Sequence, residues 1–111
     1  MNWKRNLLML SLGLAAGLAS LTPASAATPW ERDHPRRTEV LGRTANQSHR
    51  INEERREGDL TAAQAHRLHA ADRGIVRQEQ YFAHENNGHI TKPEQRLLNR
   101  EENAVGRHIP D

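Results

Sequence analysis

The heptapeptide GDLTAAQ at residues 58–64 has a counterpart in GHITKPE at residues 88–94, thirty residues later. Each begins with Gly, has Thr at its fourth position and ends with Gln or Glu. Gly is favoured just after a helix, where the backbone needs a positive φ, and Thr followed three residues later by Gln or Glu forms a capping box at the start of the next helix. These heptapeptides therefore predict two tight junctions that connect three helices.

The segments flanking the junctions have the periodicity of amphipathic helices, and no window alternates as a strand would. Leu68, Ile75 and Phe82 recur every seven residues, and Leu98 and Val105 repeat the first two of them thirty residues later. An apolar side chain at every second turn places one stripe of a helix against a core. The predicted helices span residues 34–57, 61–86 and 91–108.

The first 26 residues have the order typical of a secretory signal peptide. Lys4 and Arg5 precede an apolar run over 7–21, and Ala-Ser-Ala at 24–26 offers small residues to a signal peptidase. We therefore expect cleavage before Ala27 and a mature protein that is periplasmic or secreted, with no membrane anchor after cleavage.

These features predict an all-α protein with three parts. Residues 1–26 form the cleaved signal peptide, and residues 27–33 form a flexible lead-in. Residues 34–109 form a domain of three antiparallel helices in consecutive helical hairpins, because short junctions make successive helices antiparallel neighbours.

Composition excludes several classes of function. The chain has 16 Lys and Arg residues and 14 Asp and Glu residues, so losing Lys4 and Arg5 leaves a mature protein with equal numbers of both signs. A neutral chain lacks the main attraction for nucleic acid, which is therefore not expected as a partner. There is no Cys, which excludes disulfides and thiol catalysis.

Hydroxyl groups give no nucleophilic site either. Ser48 and His49 are adjacent in sequence, but neighbours on a helix point about 100° apart. Thr61 and Thr91 are expected to serve as helix caps. We therefore expect a protein that is not an enzyme.

The mature chain, about 85 residues long, has few large apolar side chains for a core. Without a disulfide, self-association or binding to a partner would complete its thin apolar stripe. The main functional hypothesis is accordingly a non-enzymatic binding or interaction protein, either a homo-oligomer or the ligand of a periplasmic protein partner.

The two junctions also resemble the second half of EF-hand calcium loops, which have Gly at position six and Glu at position twelve. The corresponding loops would span residues 53–64 and 83–94. Ala83 stands where the first Asp belongs, while Arg55 and Gln64 replace ligands of the first loop. Affinity depends on the charge of the ligands, so we expect no calcium binding and no resident cofactor.

From roughly residue 37 to residue 109 the chain resembles a set of small exported helical proteins of Gram-negative bacteria. The shared features are the repeated Gly-x-Leu/Ile-Thr-x-x-Gln/Glu junction and a closing stretch like LNREENAV at 98–105. The resemblance implies a helical fold and export, and it carries over no activity and no catalytic residue.

The alternative functional hypothesis is the binding of a transition metal, because seven His residues lie in the mature chain and imidazole suits Cu(II), Ni(II) and Zn(II). Reflecting the helices about Gly58 and Gly88 brings four His residues to one height of the bundle. On a helical wheel with Leu68 at 0°, however, His69 falls at about 100° and His66 at about 160°, toward solvent. The candidate metal ligands are His49, His66, His69 and His108.

Overall fold

A computed structural model describes residues 26–111, and the signal-peptide prediction lies, but for Ala26, outside the described residues. Within that range the chain forms helices and no strand, which confirms the all-helical class. The three longer helices begin and end within two residues of the predicted bounds. The helices are α1 (Pro29–Asp33), α2 (Pro35–Arg56), α3 (Ala62–Glu85) and α4 (Lys92–Gly106).

Helix α1 lies within residues 27–33, the segment predicted as a flexible lead-in. The Thr28 amide donates to Oε1 of Glu31 at 2.8 Å, and the Glu31 amide donates to Oγ1 of Thr28 at 3.1 Å. This is the same capping box that the two junctions carry, and Pro29 suits the first helical position. The segment belongs to a different compact unit from His34–Pro110, which contains the three longer helices.

Both predicted junction caps are present. The Oγ1 atoms of Thr61 and Thr91 accept hydrogen bonds from the amides of Gln64 and Glu94, whose side chains accept in return from the Thr amides. Gly58 and Gly88 have φ angles of 85° and 92°, in the region that favours glycine. Local sequence therefore fixes where α2 and α3 end and where α3 and α4 begin.

The three longer helices pack pairwise against one another. Arg37 and Ser48 of α2 contact Glu79 and His69 of α3, so residue numbers rise along one helix as they fall along the other. Along the contacts between α3 and α4, residue numbers again rise on one helix as they fall on the other. Along the contacts between α2 and α4, they rise together. The contacts of α4 join Gln78 to Glu101, Asn86 to Glu94, Glu39 to Gln95 and Gln47 to Glu102.

The interior contains both apolar and polar side chains, and the polar ones were not predicted from the sequence pattern. Its buried apolar residues are Val40, Ile51, Leu60, Ala65, Ile75, Ala83, Ile90, Leu98, Val105 and Ile109. Buried among them are six polar or charged residues, Thr44, Gln47, Glu54, Asp72, Glu79 and Glu102. Burying a charge lowers the stability of the fold unless the charge is paired. The cost of burying each acid therefore depends on its partners.

One buried acid has a complete partner. The side chain of Glu79 is fully buried, and its two oxygens accept hydrogen bonds from Nε and Nη2 of Arg37. The third Arg37 nitrogen, Nη1, donates to the carbonyl of Gly88 at 3.2 Å, and Arg36 Nε donates to the carbonyl of Ile90 at 2.7 Å. The first turn of α2 thus holds α3 and the following junction together.

Replacing Arg37 by Met should destabilise the fold by about 3–5 kcal/mol, because Glu79 would remain as an uncompensated buried charge. The double variant Arg37→Met/Glu79→Leu should recover most of that loss, since both charges are then removed. Urea unfolding followed by circular dichroism measures both effects. The control Arg67→Met alters an exposed residue of α3 and should change stability by less than about 0.5 kcal/mol. An Arg37→Met variant as stable as the parent would contradict the role of the ion pair.

Candidate functional site

Between α2 and α3 lies an open groove of about 450 Å³. Its lining residues come from successive turns of the two helices. They are Leu41, Thr44, Ala45 and Ser48 of α2, and His69, Asp72, Arg73 and Val76 of α3. The groove therefore combines apolar walls with several polar groups, the combination typical of ligand-binding sites.

Asp72 is the buried acid of this groove. It lies four residues after Leu68 and three before Ile75, on the apolar stripe of α3, so the helix directs it inward. The residue is 4% exposed, and neither carboxylate oxygen has a hydrogen-bond partner within residues 26–111. Burial raises the pKa of the Asp72 carboxyl to about 6.

Glu102 of α4 occupies the position thirty residues after Asp72 and is fully buried. Arg43 Nε lies 3.5 Å from its Oε1, and among the described residues neither oxygen has a hydrogen bond. Burial raises the pKa of Glu102 to about 8; Arg43 opposes the shift, and the charges of Glu39, Asp72 and Glu101 add to it. The two acids are therefore electrostatically coupled inside the bundle.

His69 is held at one end of the groove by α2. Its Nε2 atom lies 2.9 Å from Asn52 Oδ1, and its Nδ1 atom lies 3.4 Å from Ser48 Oγ. With the amide oxygen of Asn52 as the acceptor, Nε2 carries the proton and Nδ1 presents its lone pair toward Ser48. A Ser–His contact of 3.4 Å exceeds the roughly 2.6–3.2 Å of a nucleophile and its base.

The four predicted metal ligands occupy different surroundings. His69 lines the groove, whereas His49, His66 and His108 are exposed. His49 Nε2 lies 3.6 Å from Glu53 Oε2, and His108 Nδ1 contacts the carbonyl of Ala104 at 3.0 Å at the end of α4. Over residues 26–111, the structure brings no three of these imidazoles within the reach of one ion.

A different set of potential ligands does converge. Ligand oxygens of Glu54, Glu57 and Asp59 lie within 4.8 Å of one another where α2 ends. The last two occupy positions five and seven of the EF-hand-like loop 53–64. Gln64, at position twelve, accepts from the Thr61 amide at 2.8 Å and so serves the cap. The same is true of Glu94 in the second loop, where its Oε1 accepts from the Thr91 amide.

Sequence reasoning also missed a His pair beside the second junction. The rings of His34 and His89 are stacked with centroids 4.7 Å apart and planes 15° apart. They border a small recess of about 20 Å³ with Arg36, Arg37 and Ile90. Fifty-five positions separate the two residues, and no local pattern marks their contact.

No helix in residues 26–111 is both long and apolar enough to cross a membrane. Comparisons with protein-family models, with curated proteins and with solved structures find no match for the chain. The function is therefore inferred from the residues of the groove and their surroundings.

Stability should fall as pH rises from 5 to 9. A carboxyl group whose pKa is raised by folding stabilises the folded state most at a pH below its unfolded pKa, near 4. This stabilisation is lost as the pH rises through the folded pKa, about 6 for Asp72 and about 8 for Glu102. We expect a loss on the order of 3–5 kcal/mol across this range, since one unit of pKa shift corresponds to about 1.4 kcal/mol. Thermal unfolding at each pH measures it.

The variants Asp72→Asn and Glu102→Gln should each flatten the pH profile and raise the melting temperature at pH 9. Glu85→Gln, which changes an exposed acid of α3, should leave the profile intact. A parent protein that is more stable at pH 9 than at pH 5 would show that these two carboxyls are not the dominant titrating groups.

Proposed function

We propose that the protein is a small exported, non-enzymatic helical binding protein whose binding site is the groove between α2 and α3. The observation that carries the proposal is Asp72, a buried residue on the groove lining whose two carboxylate oxygens have no hydrogen-bond partner among residues 26–111. Buried polar groups normally have partners within the protein. A ligand that enters the groove would supply the one missing here.

The proposed scaffold is the three antiparallel helices in consecutive hairpins, because the opposed order of contacts between successive helices supports that arrangement. Export rests on the signal-like residues 1–26, and it would place the mature protein in the periplasm or outside the cell. A second copy or a periplasmic protein remains the proposed partner of the thin apolar stripe.

The polar contacts in the groove support binding over catalysis. Ser48 Oγ lies 3.4 Å from His69 Nδ1, longer than the usual contact of a nucleophile with its base. The other His69 nitrogen meets the neutral amide of Asn52, which stabilises a protonated imidazole less than a carboxylate would. The groove is partly open to solvent, so a ligand could enter it from the surface.

Filling the groove tests the proposal. Ala45 is an exposed lining residue, and Ala45→Trp would occupy the space between the helices. The probes are n-butylguanidinium, phosphate, glucose and a neutral tripeptide, each titrated into isotopically labelled protein. We expect at least one probe to shift the amide resonances of lining residues, and Ala45→Trp to abolish those shifts.

The matched control is Ala70→Trp, which places the same side chain on an exposed part of α3 outside the groove. It should preserve the shifts. The proposal fails if no probe perturbs the lining residues, or if the perturbations persist in Ala45→Trp.

Transition-metal binding is the second candidate function. His69 and Asp72 both line the groove, three residues apart on α3, and imidazole and carboxylate are both ligands of Zn(II). His49, His66 and His108 would have to move to join them, or a bound partner would supply the other ligands.

Calorimetric titration with Cu(II), Ni(II) and Zn(II) at pH 7.5 tests this second function. It requires micromolar or tighter binding that His69→Ala and His108→Ala abolish and that weakens below about pH 6.5, where imidazole is protonated. His84→Ala, an exposed change at the other end of α3, is the control. Binding that survives His69→Ala would rule out this site.

A further inference from the structure

The groove lining includes a buried carboxyl group, Asp72, that accepts no hydrogen bond from residues 26–111. Asp72 has no hydrogen bond from its neighbours within the described chain, although Arg73 lies on the same groove. Glu102 adds a second acid within electrostatic range, and it too has no hydrogen bond in the described part of the chain. Asp72 would repel an anion that enters the groove and attract a cation. Glu102 lies outside the lining, and because burial raises its pKa to about 8 it adds little charge at neutral pH.

Arg43 is the cation beside Glu102, and it also contacts two other side chains. Its Nε atom lies 3.5 Å from Glu102, its Nη2 atom donates to Asn103 Oδ1 at 2.6 Å, and its Nη1 atom lies 3.9 Å from Glu39. Arg43 is also absent from the groove lining. Arg43 therefore interacts with Glu102 and is not part of the groove lining that contains Asp72.

The walls add a second requirement. Leu41, Ala45 and Val76 present apolar surface on both sides of the groove. Each methylene that such a surface buries contributes roughly 0.8 kcal/mol. A ligand that satisfies both features has a charged donor at one end and a short alkyl chain behind it.

We infer that the groove binds an aliphatic cation, a guanidinium or protonated amine on a short alkyl chain, with its charged end hydrogen-bonded to Asp72. This inference rests on the proposed function and names the ligand class of the same site. A guanidinium can donate to both oxygens of one carboxylate, which matches the two unpartnered oxygens of Asp72. The cation can be a free small molecule or the side chain of an Arg residue in a peptide.

Two pairs of probes test the inference with the full mature protein. The compounds n-butylguanidinium and n-butylurea have nearly the same shape and differ in charge. The peptides acetyl-Gly-Arg-Gly-amide and acetyl-Gly-Gln-Gly-amide make the same comparison for a side chain. We expect both cations to bind at least about tenfold more tightly than their neutral counterparts, since a charge-assisted hydrogen bond is about twice as strong as a neutral one. A clear preference for the peptide or the small molecule identifies the source of the cation.

Asp72→Asn keeps the shape of the side chain and removes its charge. This variant should weaken both cations about tenfold or more, while Glu85→Gln, the exposed control on the same helix, should leave their affinity unchanged. Equal binding of charged and neutral probes, or unchanged binding by Asp72→Asn, would overturn the inference. If phosphate, glucose or a neutral peptide shifts the lining residues and the cations do not, the inference fails and the proposed function stands. If no probe of either panel shifts them, both fail.

Discussion

The buried ion pair between Arg37 and Glu79 is the contact on which the packing of this bundle depends. It crosses from the first turn of α2 to the second half of α3, and the same guanidinium bonds the carbonyl of Gly88 in the junction before α4. One side chain thereby fixes the spacing of three elements. With so few large apolar residues, a contact that joins three elements has more influence than it would in a larger core.

Much of the fold follows from local signals. A capping box and a glycine with positive φ specify each junction, so the helix bounds could be predicted from a few adjacent residues. The same signal was present in the Thr28–Glu31 segment. The lead-in was predicted to be flexible because Pro29 suggested an extended chain, although Pro is equally at home in the first turn of a helix.

The sequence predicts that the acids of α3 point toward the core, but it does not predict which residues they contact there. At 100° per residue from Leu68, Asp72 falls at about 40° and Glu79 at about 20°, well inside the buried stripe of α3. The periodicity predicts that both point inward. It does not predict that Glu79 pairs with Arg37 while the Asp72 oxygens have no hydrogen-bond partner among residues 26–111. The predicted His cluster failed to converge for the same reason. Placing residues at equal height along the helices does not make their rings face one another, and His66 was already at about 160° on the wheel.

The contrast between Glu79 and Asp72 bears directly on function. Both acids occupy the inner face of α3, seven residues apart. Within the described part of the chain, Glu79 pairs with Arg37 and the Asp72 oxygens have no hydrogen-bond partner. If Asp72 served the structure, an apolar residue or an amide would stabilise the bundle more, because an unpartnered carboxylate in the interior opposes folding whenever it is ionised. Residues that lower the stability of a fold often have a role in function. A polar group that binds a ligand lacks a hydrogen-bond partner until the ligand is bound. Asp72 belongs to the lining of a groove, although both of its oxygens are buried, so a ligand in the groove would reach them after a small movement of the side chain or its neighbours.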